Sequence, residues 1–123
     1  MPADVLSDLR ILLLEDDFLI AMHVESLCRD HGAAEVIVRH SLDEVDEKAA
    51  TDFDVAIIDV MLSGVSAMPF AKQLAKNRRP FVLASAYVEG DEVAKDFPGV
   101  PVIGKPFAGN DLIEAVATAA GRR

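Results

Sequence analysis

Short apolar runs alternate with stretches of helical spacing along this chain, and that alternation restricts its fold more than any other feature. Residues 10–15 (RILLLE) read as a buried strand. Over residues 17–31, Ile20, Val24 and Leu27 recur at helical spacing with Leu19 and His23 beside them, and Gly32 is placed to stop that helix. Residues 35–39 (EVIVR) are β-branched and strand-like. Ser41 and Glu44 make a capping box ahead of a helix running to about Ala50. A buried strand follows at 54–59, a helix from about Ser66 to Asn77, a strand at 80–85, a short helical segment near 90–96 and a strand at 100–104. Asn110 is the expected cap of a last helix that carries Leu112, Ile113, Val116 and Ala120 on one face. Five strands and five helices in strict alternation are thus expected. Apolar strands interleaved with helices predict a parallel sheet covered on both faces, joined by right-handed crossovers.

The 123 residues suffice for a single domain, 1–123, with its own core. Hydrophobic residues at 51% and charged residues at 27% exclude a disordered or fibrous chain. A net charge of −9 repels nucleic-acid phosphates and anionic membranes, so neither is expected as a partner. No apolar run approaches the ~20 residues that cross a bilayer. The opening MPADVLSDLR lacks the pattern of a secretory signal, and a cytoplasmic location is the expectation. Gly121-Arg122-Arg123 reads as a frayed end or as the edge of a longer protein. The one cysteine, Cys28, has no disulfide partner and reads as a small buried apolar side chain rather than a reactive thiol.

In open sheets of this kind, ligands sit beyond the carboxyl ends of the strands. The first strand ends in Glu15, Asp16 and Asp17, the third in Asp59, the fourth in Ser85 and the fifth in Lys105-Pro106. Each has a plain structural reading. Acids are favoured at a helix start, a serine often ends a strand, and Lys105 would serve as a surface lysine. Asp59 resists such a reading, because Val55–Ile58 precede it and Val60, Met61 and Leu62 follow. An acid inside an apolar run destabilises the fold unless it is paired or binds a metal. His23, His31 and His40 show no metal-binding spacing and read as surface or half-buried residues. No Gly-rich phosphate loop is present.

Taken in order, ILLLEDD, VAIIDVMLSG, PFVLASAY and VIGKPF resemble the receiver domain of two-component response regulators, from about Arg10 to Ala119. The resemblance implies a flavodoxin-like α/β (βα)5 three-layer sandwich with sheet order 2-1-3-4-5. It implies phosphorylation on Asp59 by a histidine kinase or phosphotransfer protein, as one step of a phosphorelay. Magnesium, with manganese as the alternative, would be held by Glu15, Asp16 and the Met61 backbone carbonyl. Ser85 and Lys105 would hold the phosphoryl group, and the Lys105–Pro106 peptide is usually cis in the family. Output would pass by protein contact through residues 89–120, from a monomer or a weak dimer formed by the last helices.

Departures from the family pattern are specific. Leu62 is followed by Ser63-Gly64, and Ala67 replaces a later glycine, so a loop of different shape is expected. The ASAY segment resembles an atypical group with Ala-Thr-Gly-Tyr there, many of whose members pair with unusual bacterial histidine kinases. Val102 stands at the place of the family's switch aromatic, leaving Tyr87 as the candidate for coupling. Met61 and Tyr87 occupy the positions that tune phosphoryl lifetime. Neither can orient a water molecule, so at most slow self-dephosphorylation is expected, and no other enzymatic activity. Two other functions compete: a pseudo-receiver that binds without phosphorylation, and a flavodoxin-type cofactor protein. Acids after the first strand disfavour the second, since they would repel a cofactor phosphate.

Overall fold

A computed structural model describes residues 4–46, 50–86, 95–105 and 108–122. Among these residues the elements are β1 (Arg10–Leu14), α1 (Phe18–Asp30), β2 (Glu35–Arg39), β3 (Val55–Asp59), β4 (Met61–Leu62), β5 (Val65–Ser66), α2 (Met68–Lys76), β6 (Phe81–Ala86), β7 (Val102–Lys105) and α3 (Gly109–Ala119). Five of the strands pair in the order β2-β1-β3-β6-β7. Every pairing in that sheet is parallel. With the two short strands β4 and β5 set aside, this is the expected 2-1-3-4-5 order.

Strand side chains point alternately to opposite faces, and that period of two divides the core. Ile11, Leu13, Val55, Ile57 and Val82 pack on one face with Ala21, Val24 and Cys28 of α1 and with Leu112, Ile113 and Val116 of α3. Leu12, Leu14, Ala56, Ile58 and Leu83 pack on the other face with Ala71 and Leu74 of α2 and with Phe53, Phe81 and Phe97. Phe81 and Phe97 meet edge to face, their centroids 5.6 Å apart. The strands are therefore apolar on both faces, which is why they read as continuous runs. Ile20 and Leu27 are only partly buried, while Leu19 is fully outside the core. Cys28 is fully buried, and burial pushes its thiol up to about 12. Gly32 follows α1 with φ +99°, and a Cβ there would lie 3.1 Å from Ser7 Cα. Both facts reserve the position for glycine.

Four expectations need correction. Strict alternation fails after β3, where β4 and β5 form an antiparallel hairpin, Met61 opposite Ser66 and Leu62 opposite Val65. Its two-residue turn places Ser63 at φ +51° and Gly64 at φ +80°. Positive φ at both turn residues is the hairpin geometry whose twist matches the flanking strands. Because Val65 and Ser66 are taken into that hairpin, α2 begins at Met68 instead of Ser66, with Pro69 in its first turn and the Met68 N–H donating to Ser66 Oγ at 3.2 Å. Asn110 does not cap α3. Ala108 holds the N-cap position with no side-chain hydrogen bond, and Asn110 lies inside the first turn. Between β2 and β3, Leu42–Glu44 form a single 3-10 turn in place of the start of a regular helix. Residues 47–49, most of the segment expected to be helical near 90–96, and also Tyr87 and Pro106, lie outside the described residues.

Candidate functional site

The carboxyl ends of β1, β3 and β7 bring four of the expected residues into mutual contact. Glu15 directly follows β1, Asp59 ends β3, and Lys105 ends β7. Lys105 Nζ donates to Glu15 Oε1 at 2.7 Å and to Asp59 Oδ2 at 2.8 Å. Carboxylate oxygens of Glu15, Asp16 and Asp59 all lie within 4.8 Å of one another. Glu15 is 3% exposed and Asp59 8%, while Asp16 is half-buried at the mouth. Ser85 is buried on β6, one residue beyond Ala84, the register partner of Asp59. Val102 packs partly buried against the second core cluster.

Backbone groups orient each acid. The Met61 N–H donates to Asp59 Oδ1 at 3.3 Å. The Ser63 N–H, at the hairpin tip, donates to Asp16 Oδ2 at 2.7 Å. Glu15 Oε2 accepts from the Asp17 N–H at 3.1 Å. Asp17 points away from the cluster and caps α1, accepting from the N–H groups of Leu19 and Ile20. Its structural role is the one expected of an acid at a helix start.

Three carboxylates share this space with one ammonium, so negative charge is in excess. Burial pushes the Glu15 carboxyl up, against the opposing effect of its Lys105 hydrogen bond. The Ser63 N–H holds Asp16 below the usual carboxylate range. Burial works to lower the Lys105 ammonium, but hydrogen bonds to Asp59 and Glu15 outweigh it and the net direction is upward. An all-oxygen donor set, partly buried and under-neutralised, suits a hard divalent cation such as magnesium.

Two features escape sequence reasoning. His40, read as an ordinary surface or half-buried histidine, places its ring against the site: Nδ1 lies 2.9 Å from the Glu15 carbonyl, and the ring packs on Phe18 with centroids 3.9 Å apart. Phe18, Leu19 and Met22 of α1, which follows Asp16 and Asp17 in the chain, and Met61 and Val65 of the hairpin whose tip binds Asp16, are exposed large apolar side chains that form a rim. Only the absence of polar residues from the first turn of α1 could have signalled this rim.

No family model matches the chain. The "Transcriptional regulatory protein PdtaR" of Mycobacterium tuberculosis is 31% identical over 124 residues, covering 98% of this chain and 60% of that protein. The chain thus spans about 60% of the length of the curated relative it matches. Its fold matches the N-terminal signal receiver domain of a two-component response regulator from Bacteroides fragilis with a TM-score of 0.80, at 19% identity, covering 93% of this chain and 98% of that one. It also matches the receiver domain of the response regulator PhyR from Erythrobacter litoralis with a TM-score of 0.72, at 23% identity, covering 92% and 90%.

Proposed function

From the premise that this chain is a response-regulator receiver domain by fold, we propose that it is a phosphoryl-accepting switch, with Asp59 as the acceptor. The donor is a phosphohistidine on a histidine kinase or phosphotransfer protein. The P–N bond of the donor breaks as an oxygen of Asp59 bonds to phosphorus, and the departing imidazole nitrogen takes up a proton. The observation that carries this reading is the Lys105 ammonium, 2.8 Å from Asp59 Oδ2 within a cluster of three acids. Phosphoryl transfer depends mainly on positioning and charge neutralisation, and this arrangement offers both.

Asp59 presents a nearly buried carboxylate at the end of β3, in register with Ala84 of β6. Lys105 supplies a compact positive charge to the incoming phosphoryl oxygens. The Ser85 hydroxyl, on the neighbouring strand, is the proposed hydrogen-bond donor to the same group. Glu15, Asp16 and Asp59 would hold magnesium or manganese, with the Met61 carbonyl as a further proposed oxygen. When bound, the ion adds positive charge opposite Lys105. The exposed rim of Phe18, Leu19, Met22, Met61 and Val65 supports docking of a protein donor, since apolar rims of this kind mark contact sites. Phosphorylation then biases a two-state equilibrium already present, read out by protein contact through residues 89–120. Because phosphohistidine is made from ATP, the reading carries a cytoplasmic location with it. Among the described residues, no helix is long and apolar enough to cross a membrane.

The test is intact-protein mass spectrometry after acetyl phosphate treatment, with and without magnesium. The expected result is one added phosphate, dependent on the ion and lost in Asp59→Asn. Absence of any label under saturating ion would move the chain to the pseudo-receiver reading.

A further inference from the structure

The first residues beyond the paired ends of β1 and β2 break the ladder in an unusual way. In a parallel ladder, a residue donates its N–H to one position on the partner and accepts at its carbonyl from the N–H two residues further along. Glu15 makes the first bond, its N–H donating to the Arg39 carbonyl at 3.1 Å. The second bond should come from the Ser41 N–H. That amide is turned away and donates to Glu44 Oε1 at 3.2 Å, an oxygen that also accepts from the His40 N–H at 2.5 Å. The vacated acceptor, the Glu15 carbonyl, is served by the His40 side chain at 2.9 Å. A carbonyl oxygen only accepts, so Nδ1 must carry the proton. The His40 ring also packs on the Phe18 ring, 3.9 Å away between centroids and tilted by 35°.

We infer that His40 is a positioning residue for the acidic cluster: by closing the last rung on Glu15 it fixes the direction in which that carboxylate enters the site. Glu15 has its backbone pinned at both the N–H and the carbonyl by consecutive residues of one partner strand end, Arg39 and His40. Its side chain then has only its own torsions left, and Lys105 and the Asp17 N–H settle those. Groups that orient a ligand without touching the ion commonly change its affinity by about 10–100-fold. The Phe18 contact steadies the imidazole.

This inference rests on the cation-binding reading above, and one titration separates the two. Magnesium binding is measured by calorimetry on the wild-type protein, on His40→Asn and on His40→Phe, with circular dichroism melting as the check of folding. Asparagine can place an amide N–H where Nδ1–H stands but loses the ring contact. Phenylalanine keeps the ring and loses the donor. The expectation is near-wild-type affinity for His40→Asn and affinity about tenfold weaker for His40→Phe. Equal affinity in all three proteins overturns the positioning role while leaving the cation site intact. No binding by wild type overturns both. Nitrogen chemical shifts of the His40 ring in the wild-type protein decide the matter should a variant fail to fold: a neutral ring with Nδ1 unprotonated rules the rung out.

Discussion

The two ends of the sheet carry similar charges under opposite conditions. At the amino end of β1, Arg10 pairs with Glu35 at 3.3 Å and with Asp52 at 2.5 Å, and all three side chains are more than a third exposed. At the carboxyl end, Lys105 pairs with Glu15 and Asp59, whose side chains are 4% and 10% exposed. Both are one cation between two acids. Water and salt screen the first set, so its geometry contributes little to stability. The second set is shielded, so any change in its charge is felt by its neighbours in full. A charge delivered from outside would alter the balance at the second end more than at the first.

The largest break in this contrast should come from Lys105→Met, which leaves Glu15 and Asp59 facing each other without their shared cation. Urea denaturation in the absence of divalent ions is expected to show a loss of about 1–3 kcal/mol at neutral pH. That is less than the ~3–5 kcal/mol of fully buried pairs, because the Lys105 side chain keeps 22% of its surface exposed. The ammonium of Lys105 is held above its ordinary 10.5 by the two acids against the opposing effect of burial. Its contribution is therefore complete below 10.5 and is lost as the pH rises through the higher folded value. Wild type and variant should converge in strongly alkaline solution, and an unchanged midpoint at neutral pH would put both ends of the sheet on the same footing.

Glu15→Gln should act more gently and in the other direction. Burial raises the Glu15 carboxyl, so between its ordinary 4.5 and the folded value the native protein holds more protons than the unfolded chain. Stability then falls as pH rises through that window. Glutamine removes the charge and keeps one oxygen to accept from Lys105, while its amide group loses the Asp17 N–H bond, so a melting midpoint no more than a few degrees higher at neutral pH is expected. That advantage should vanish below pH 4.5, and a variant less stable than wild type at neutral pH would refute the idea. Asp16 has the opposite sign: lowered chiefly by the Ser63 N–H, it stabilises above its ordinary 3.8 and loses that effect as pH falls.

The smallest effect belongs to the exposed end. Arg10→Gln should leave the melting midpoint nearly unchanged and high salt should erase what difference there is. A fall comparable with that of Lys105→Met would mean that exposure is not what separates the two triads.

The sheet was legible because its strands are apolar on both faces and end in polar residues. Leu12 and Ile58 go to one layer and Leu13 and Ile57 to the other, yet all four look alike as sequence. The strand-end residues Glu15, Asp16, Asp59 and Lys105 were identifiable one by one, while their separations follow from register, which no single segment contains. The β4–β5 hairpin was not legible, since two-residue strands are too short to show a period. Its Ser-Gly turn was the available sign. Asn110 misled because capping preference is weaker than the packing that fixes where α3 starts, with Gly109 pressed against Leu27, 3.3 Å from where a Cβ would stand. His40 could not have been found from spacing. Its task exists only because Glu44 draws the Ser41 amide out of the ladder.

The lone thiol of Cys28 has a practical consequence. Enclosed between α1 and the sheet and held protonated at neutral pH, it is chemically silent toward alkylating reagents that need a thiolate. A cysteine introduced at an exposed rim position such as Leu19 would then be the one sulfur in the molecule that takes a dye or spin label. The native fold thus comes with a blank background, against which the approach of a partner to the mouth of the acidic cluster can be watched directly.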